Sequence, residues 1–242
     1  MFRHLAIPSF FALAFALGAC SSSSSQDSES TTNPESATSG QGALTPSSNT
    51  MSFFVSSQAN TGNLGGLAGA DKICTDLATA VGSEGKTWRA YLSVDDDGTG
   101  KPVNAKDRIG NGPWVNSKGV TVATDLTALH AIPHGDADLF LNEKGEKNPG
   151  QWAGSPTPVQ HDIMTGSNPD GTLQAGKTCA NWTSDSATLT EQPIVGHSDG
   201  MGPMMNTMPP YNSWNSSHAA MDCSPAGLAA RGSAGRIYCF AQ

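Results

Sequence analysis

Three histidines in the second half of the chain stand beside or near carboxylates: His161 next to Asp162, His197 two residues before Asp199, and His218. Imidazole nitrogen with carboxylate oxygen is a donor set suited to a transition metal. The same pairs are also the raw material of a general acid and base. Nothing in the spacing obliges the three to meet, and histidines satisfied by hydrogen bonds in a loop-rich core are the preferred reading. Between His197 and His218 lie Met201, Met204, Met205 and Met208, four thioethers within eight residues. Soft sulfur selects Cu(I), and methionine is equally an adaptable filler of irregular loops. A transition metal is therefore one cofactor candidate.

Calcium is the other. Asp95, Asp96, Asp97 and Gly98 resemble half of a calcium loop, but Lys106 occupies the place of the distal Glu, so a solvated turn is the better reading. The metalloprotease motif H-E-x-x-H is missing. The glycines from Gly62 to Gly69 precede a helix in a chain without β-α-β rhythm. An enzyme is not expected.

These groups must be positioned by a chain with 27 Gly and 15 Pro among its 242 residues, a composition suggesting a loop-rich globular domain. A net charge of −8, from 13 basic and 21 acidic residues, argues against a nucleic-acid partner. Leu5 to Leu17 form an almost wholly apolar run, the length of a signal-peptide core and too short to cross a bilayer. It ends Leu17-Gly18-Ala19-Cys20, which looks like a bacterial lipobox with Cys20 as the acylated thiol. Residues 1–19 are thus expected to be a lipoprotein signal peptide. Residues 20–50 are expected to be the lipidated cysteine and a disordered tether. Ser21 to Thr50 hold sixteen Ser or Thr and no aromatic, and cannot bury enough apolar surface to offset their ordering entropy. Ser21 after the cysteine resembles the sorting pattern for the outer membrane, so the expected site is that membrane, with the domain periplasmic or at the cell surface.

Residues 51–242 then form one domain. Its four cysteines, Cys74, Cys179, Cys223 and Cys239, read as two disulfides in an exported chain, and spacing does not choose among the three pairings. No C-x-x-C pair occurs, which argues against zinc-thiolate ligation. Ser52 to Ser57 has the composition of a first strand, and Asp71 to Val81 has apolar residues at helical spacing, entered through Gly65, Gly66 and Gly69. Trp88 to Val94 alternates as a strand with one buried face, and Ile237 to Phe240 suits a closing central strand. Residues 95–236 are dominated by turn chemistry.

The segments GGLAGADKIC (65–74), TWRAYLS (87–93), TGSNPDG (165–171), CANWTS (179–184) and IYCF (237–240), in that order, resemble the landmarks of the endostatin domain of collagens XV and XVIII. RIGNGPWVNSKG (108–119), WNSSH (214–218) and GRIYCFA also look like a group of bacterial lipoproteins sharing that fold. The resemblance implies an α+β, C-type-lectin-like fold: a mixed antiparallel sheet, one or two helices and long loops. It also implies nested disulfides, Cys74 with Cys239 and Cys179 with Cys223. Endostatin's heparan-sulfate binding does not carry over, because the domain has twelve Lys or Arg against eighteen Asp or Glu. Its amino-terminal zinc histidines have no counterpart in residues 43–64. Lectins of this fold bind sugar through Ca²⁺ with a carboxylate and an amide flanking a proline, and Asn168-Pro169-Asp170 has that make-up, although a proline turn is the preferred reading. The second lectin motif survives only as Trp214-Asn215-Ser216.

The expectation is a non-catalytic, lipid-anchored binding module, adhesin- or lectin-like, for a carbohydrate, matrix or protein ligand. Its partners would be the membrane, through Cys20, and that ligand. Trp114 and Trp152, among turn residues, are the ligand candidates alongside Asn168 and Asp170, whereas Trp182 and Trp214 are expected in the core. The alternative is a metal-binding protein for copper or zinc that uses the histidine and methionine clusters.

Overall fold

The computed structural model describes residues 50–132, 135–188 and 190–242. The leader, Cys20 and the tether up to residue 49 lie outside the described residues. IYCF is the centre of a long strand, β8 (Ser233–Ala241), in which every residue from Gly235 onward is buried. Its side chains alternate between two apolar clusters. Ile237 and Cys239 enter one, beneath helix α1 (Gly66–Ala80), while Tyr238 and Phe240 enter the other, which is largely aromatic. A strand buried on both faces is held at the middle of a sheet because no edge of it can be left to water. Accordingly β1 (Phe53–Val55) and β2 (Trp88–Ala90) both pair antiparallel with β8, through Phe53 opposite Phe240 and Ala90 opposite Cys239. β5 (Asp162–Met164) pairs with β8 in parallel, Met164 opposite Ile237. The sheet continues through β6 (Ile194–His197) to β7 (His218–Ala219), and β3 (Trp114–Val115) with β4 (Thr121–Ala123) makes a separate ribbon. Helical segments α2 (Leu126–Ala131), α3 (Cys179–Trp182) and α4 (Pro225–Ala229) are each shorter than two turns. The class is α+β with a mixed sheet, and the helical segments are more numerous than expected.

α1 starts at Gly66, five residues before the expected Asp71. Its first turns run through glycines because the chain is tight there: a Cβ on Gly69 would lie 2.0 Å from the Leu64 carbonyl oxygen. Asp71, on the buried face, accepts from Arg108 Nη2 at 2.8 Å, Arg89 Nη1 at 2.7 Å and the Ala90 amide at 2.9 Å, fastening α1 to β2. The disulfides are Cys74–Cys239 and Cys179–Cys223, the nested order that the resemblance implies. On loop entropy, rings of these sizes contribute about 5 and about 4 kcal/mol.

Two expectations need correction. Trp88 to Val94 does not bury one face only. β2 ends at Ala90, and Tyr91 and Ser93 are as buried as Leu92 because the chain there runs between the two clusters. The stretch 95–236 is rich in turns, as expected, and also contributes β5 and β6 to the sheet. Trp114 is not a surface ring: it is 1% exposed and packs edge-on against Phe240 at 5.3 Å. That burial removes it from the ligand candidates. Trp182 and Trp214 are core residues, as expected.

Candidate metal centre

Register, not sequence proximity, builds the site. Asp162 at the start of β5 sits directly opposite His197 at the end of β6. One strand further, His218 of β7 faces Val195, which is two residues from His197 on the same face of β6. Asp162, His197 and His218 therefore project from one face of the sheet. His161, one residue before β5, completes the group by stacking on His197, with ring centroids 4.4 Å apart and planes 13° apart. Beside His197, β6 carries Gly196, where the loop before β7 passes so close that a Cβ would lie 1.9 Å from the Trp214 carbonyl oxygen.

The polar atoms converge. Asp162 Oδ1 is 3.2 Å from His161 Nε2 and 3.3 Å from His197 Nε2, while Oδ2 is 3.4 Å from His218 Nε2. The Nε2 atoms of His197 and His218 are 3.0 Å apart. His161, Asp162 and His197 are buried, and each offers a ligand atom within 4.8 Å of the others. His218 lies at the rim with its side chain 24% exposed. In front of the cluster lies a cavity of about 530 Å³, bordered by His161, His197, His218, Tyr211 and the segment 229–232 at the end of α4.

The outer nitrogens fix the tautomers. His197 Nδ1 donates to the Tyr211 carbonyl at 2.8 Å, and His218 Nδ1 donates to the Ala219 carbonyl at 3.0 Å. A carbonyl only accepts, so each Nδ1 carries the proton and each neutral ring turns its Nε2 lone pair inward. Burial lowers the pKa of both rings, that of His197 to about 3, which keeps them neutral. Two lone pairs thus face each other at 3.0 Å with no proton between them. His161 Nδ1 bonds Asp199 Oδ1 at 2.6 Å. Burial disfavours a charge on His161, yet the Asp199 bond and the charges of Asp162 and Asp199 outweigh burial and raise its pKa. Asp199 is oriented in turn by the amides of Gln151 and Met201, at 2.6 and 3.1 Å. Burial also opposes its charge, but the His161 bond and these amides hold its pKa below the ordinary value.

Asp162 is the anomaly. It is fully buried, and neither carboxylate oxygen has a hydrogen-bond partner. Burial pushes its pKa up to about 7, the charge of Asp199 adding to the shift and those of His161 and Arg231 opposing it. Buried polar atoms are nearly always satisfied, and such an orphan calls for a partner.

The other sequence-derived candidates lie elsewhere. Met204, Met205 and Met208 are exposed on a surface loop, Met204 by 94%, and none of the four methionines borders the cavity. Met201 touches the site only through its backbone amide on Asp199. Asn168 and Asp170 are engaged in their own turn: Asn168 Nδ2 donates to Thr172 Oγ1 and the Leu173 carbonyl, and Asp170 Oδ1 accepts from the Thr172 amide and hydroxyl. Asn215, buried, ties that turn down from below through the carbonyls of Asn168 and Pro169. Asp95 accepts from Gly176 N and Thr178 Oγ1, and Asp96 and Asp97 close turns on the residues that follow them. Trp152 is half-buried, donates to the Asn148 carbonyl and has Lys147 Nζ 5.1 Å from its ring centroid. Two strand pairings bring together histidines that the sequence spaces 21 to 57 residues apart, and each ring also keeps a hydrogen bond at Nδ1, as the reading of satisfied core histidines expects.

Fold and site together define an α+β domain, closed by two disulfides, with a buried three-histidine, one-aspartate cluster. Neither a protein-family model nor a curated protein sequence matches the chain.

Proposed function

We propose that the chain is a metal-binding module in which His161, His197, His218 and Asp162 hold a first-row divalent transition metal, zinc best fitting the donor set. The observation that carries this reading is the pair of inward lone pairs on His197 and His218 beside an unpartnered, buried carboxylate. A cation between them satisfies all three at once. Zinc–nitrogen and zinc–oxygen bonds of about 2.0–2.1 Å in a tetrahedron put ligand atoms about 3.3 Å apart. Four contacts of 3.0–3.4 Å within the group bracket that edge length, and His161, Asp162 and His197 form its mutually close core, with His218 added through His197 and Asp162. The outer partners, a carboxylate on His161 and carbonyls on His197 and His218, are those that orient metal-bound imidazoles elsewhere. With no thiolate and no cavity-facing thioether, the donor set favours zinc over Cu(I).

Display at a membrane surface belongs to the same proposal, and its support is the Leu17-Gly18-Ala19-Cys20 terminus of the leader and the Ser/Thr-rich stretch that follows. Among the described residues no helix is long and apolar enough to cross a membrane. The endostatin-like reading of the scaffold is supported by the nested disulfides. A carbohydrate or matrix ligand keeps only Trp152 as a partly open ring, so this reading stands behind the metal.

The test is metal analysis of protein purified without chelator, followed by calorimetric titration of the stripped protein with zinc. One equivalent with submicromolar affinity, lost in His197→Ala, is expected. Absence of binding in correctly folded protein would overturn the reading.

A further inference from the structure

We infer that the metal-loaded site takes a second ligand from the cavity, an organic carboxylate with an apolar body; this rests on the metal-binding reading. The cavity's volume of about 530 Å³ lies in the range of sites for small organic molecules, roughly 300–1,000 Å³. Its walls divide by chemistry. Pro158, Val159, Pro203 and Ala230 supply an apolar side, while the floor is the histidine cluster. Arg231 stands at the border, exposed, with no hydrogen bond or ion pair from its guanidinium to any described residue. Its charge nevertheless reaches Asp162 and His218.

Charge and coordination then select the ligand. A divalent metal with ionised Asp162 and Asp199 is neutral as a group, and the free Arg231 leaves the mouth of the site positive. An anion is therefore attracted to the loaded site, and a neutral molecule is not. His218, at the rim, marks the open side of the coordination sphere, and zinc expands from four to five ligands without redox change. A carboxylate fits both demands: one oxygen reaches the metal and the other lies toward the planar guanidinium fork. The apolar wall makes an aromatic or aliphatic acid a better occupant than acetate. The carboxylate can belong to a free acid or to the carboxyl terminus of a peptide.

The full-length chain loaded with Co(II) reports both levels through its visible absorption. Benzoate is expected to shift the Co(II) bands with a Kd of roughly a millimolar or better. Benzamide, its uncharged counterpart, should leave them in place, and acetate should bind more weakly than benzoate. A tripeptide with an apolar C-terminal residue, compared with its amidated form, shows whether a peptide terminus competes with the free acid. Arg231→Gln, at an exposed position outside the ligand set, should keep the unliganded Co(II) spectrum and weaken benzoate about tenfold. Bands that ignore both benzoate and the free-terminus peptide, or an Arg231→Gln protein that binds benzoate as wild type does, would overturn the inference while leaving the metal site standing. If no Co(II) bands appear at all, the metal reading fails and this inference falls with it.

Discussion

Asp162→Asn is the most informative single substitution, because metal-free and metal-loaded protein should respond in opposite directions. In the free protein the carboxylate is fully buried, lacks hydrogen bonds and has its pKa raised from 3.8 to about 7. With the folded-state pKa above the unfolded one, the folded protein holds the extra proton between these values. Stability therefore falls as pH rises from about 4 to about 7 and stays reduced above that. A shift of about three units sets a ceiling near 4 kcal/mol at pH 8. Relaxation of the site brings the expected figure to about 1–2 kcal/mol. Asparagine removes the charge, and its amide nitrogen, in the place of one carboxylate oxygen, can donate to one inward lone pair, that of His197 from the Oδ1 position at 3.3 Å or that of His218 from the Oδ2 position at 3.4 Å. For a domain of this size the gain corresponds to a rise in Tm of about 2–8 °C. Zinc should stabilise wild type by about 2.7 kcal/mol when free metal is a hundredfold above Kd. The variant should gain far less. Differential scanning calorimetry at pH 8, with chelator and with zinc, gives all four values. A metal-free variant that melts below wild type, or one that gains as much from zinc, would refute the reasoning.

Asp199→Asn should leave the fold intact and weaken zinc about 10- to 100-fold, since it acts through His161 and not on the metal; competition with a chromophoric chelator measures this. Gly196→Ala should destabilise the domain by about 3 kcal/mol or more and weaken metal binding with it, because its Cβ meets the Trp214 carbonyl at 1.9 Å; urea denaturation is the check. Replacing both Cys179 and Cys223 by serine should cost about 4 kcal/mol in the same assay, the loop-entropy value for a separation of 44 residues. Zinc affinity should weaken as pH falls below neutrality: His161, whose pKa is raised, takes a proton that competes with metal, and Asp162 protonates near 7. Calorimetric titration at pH 8 and pH 6 tests the direction.

Several features are legible in the sequence because their signals are local. The helix around Cys74 and Leu77 shows a 3.6-residue period, and the composition of IYCF marks it as a buried strand. The even count of four cysteines in residues 51–242 points to two disulfides, though their order follows from the resemblance and not from spacing. The strands that carry the site are not legible. β5 and β6 are three and four residues long and buried at every position, so neither shows the alternation that announces a strand. Trp114 misleads for a related reason: its neighbours are turn residues, but β3 lays it against the aromatic cluster beneath β8.

The sequence by itself determined which donors exist, three imidazoles and two carboxylates, along with the cysteines and the acidic balance, because those are properties of residue type. It could not determine that His161, Asp162, His197 and His218 share one point in space, nor that the methionines between them turn outward. That depends on β5 pairing with β6 and β6 with β7 in one register, and a slip of one residue would send each side chain to the opposite face. Register is selected by burial summed over the whole sheet, so only the assembled tertiary structure turns four scattered donors into a site.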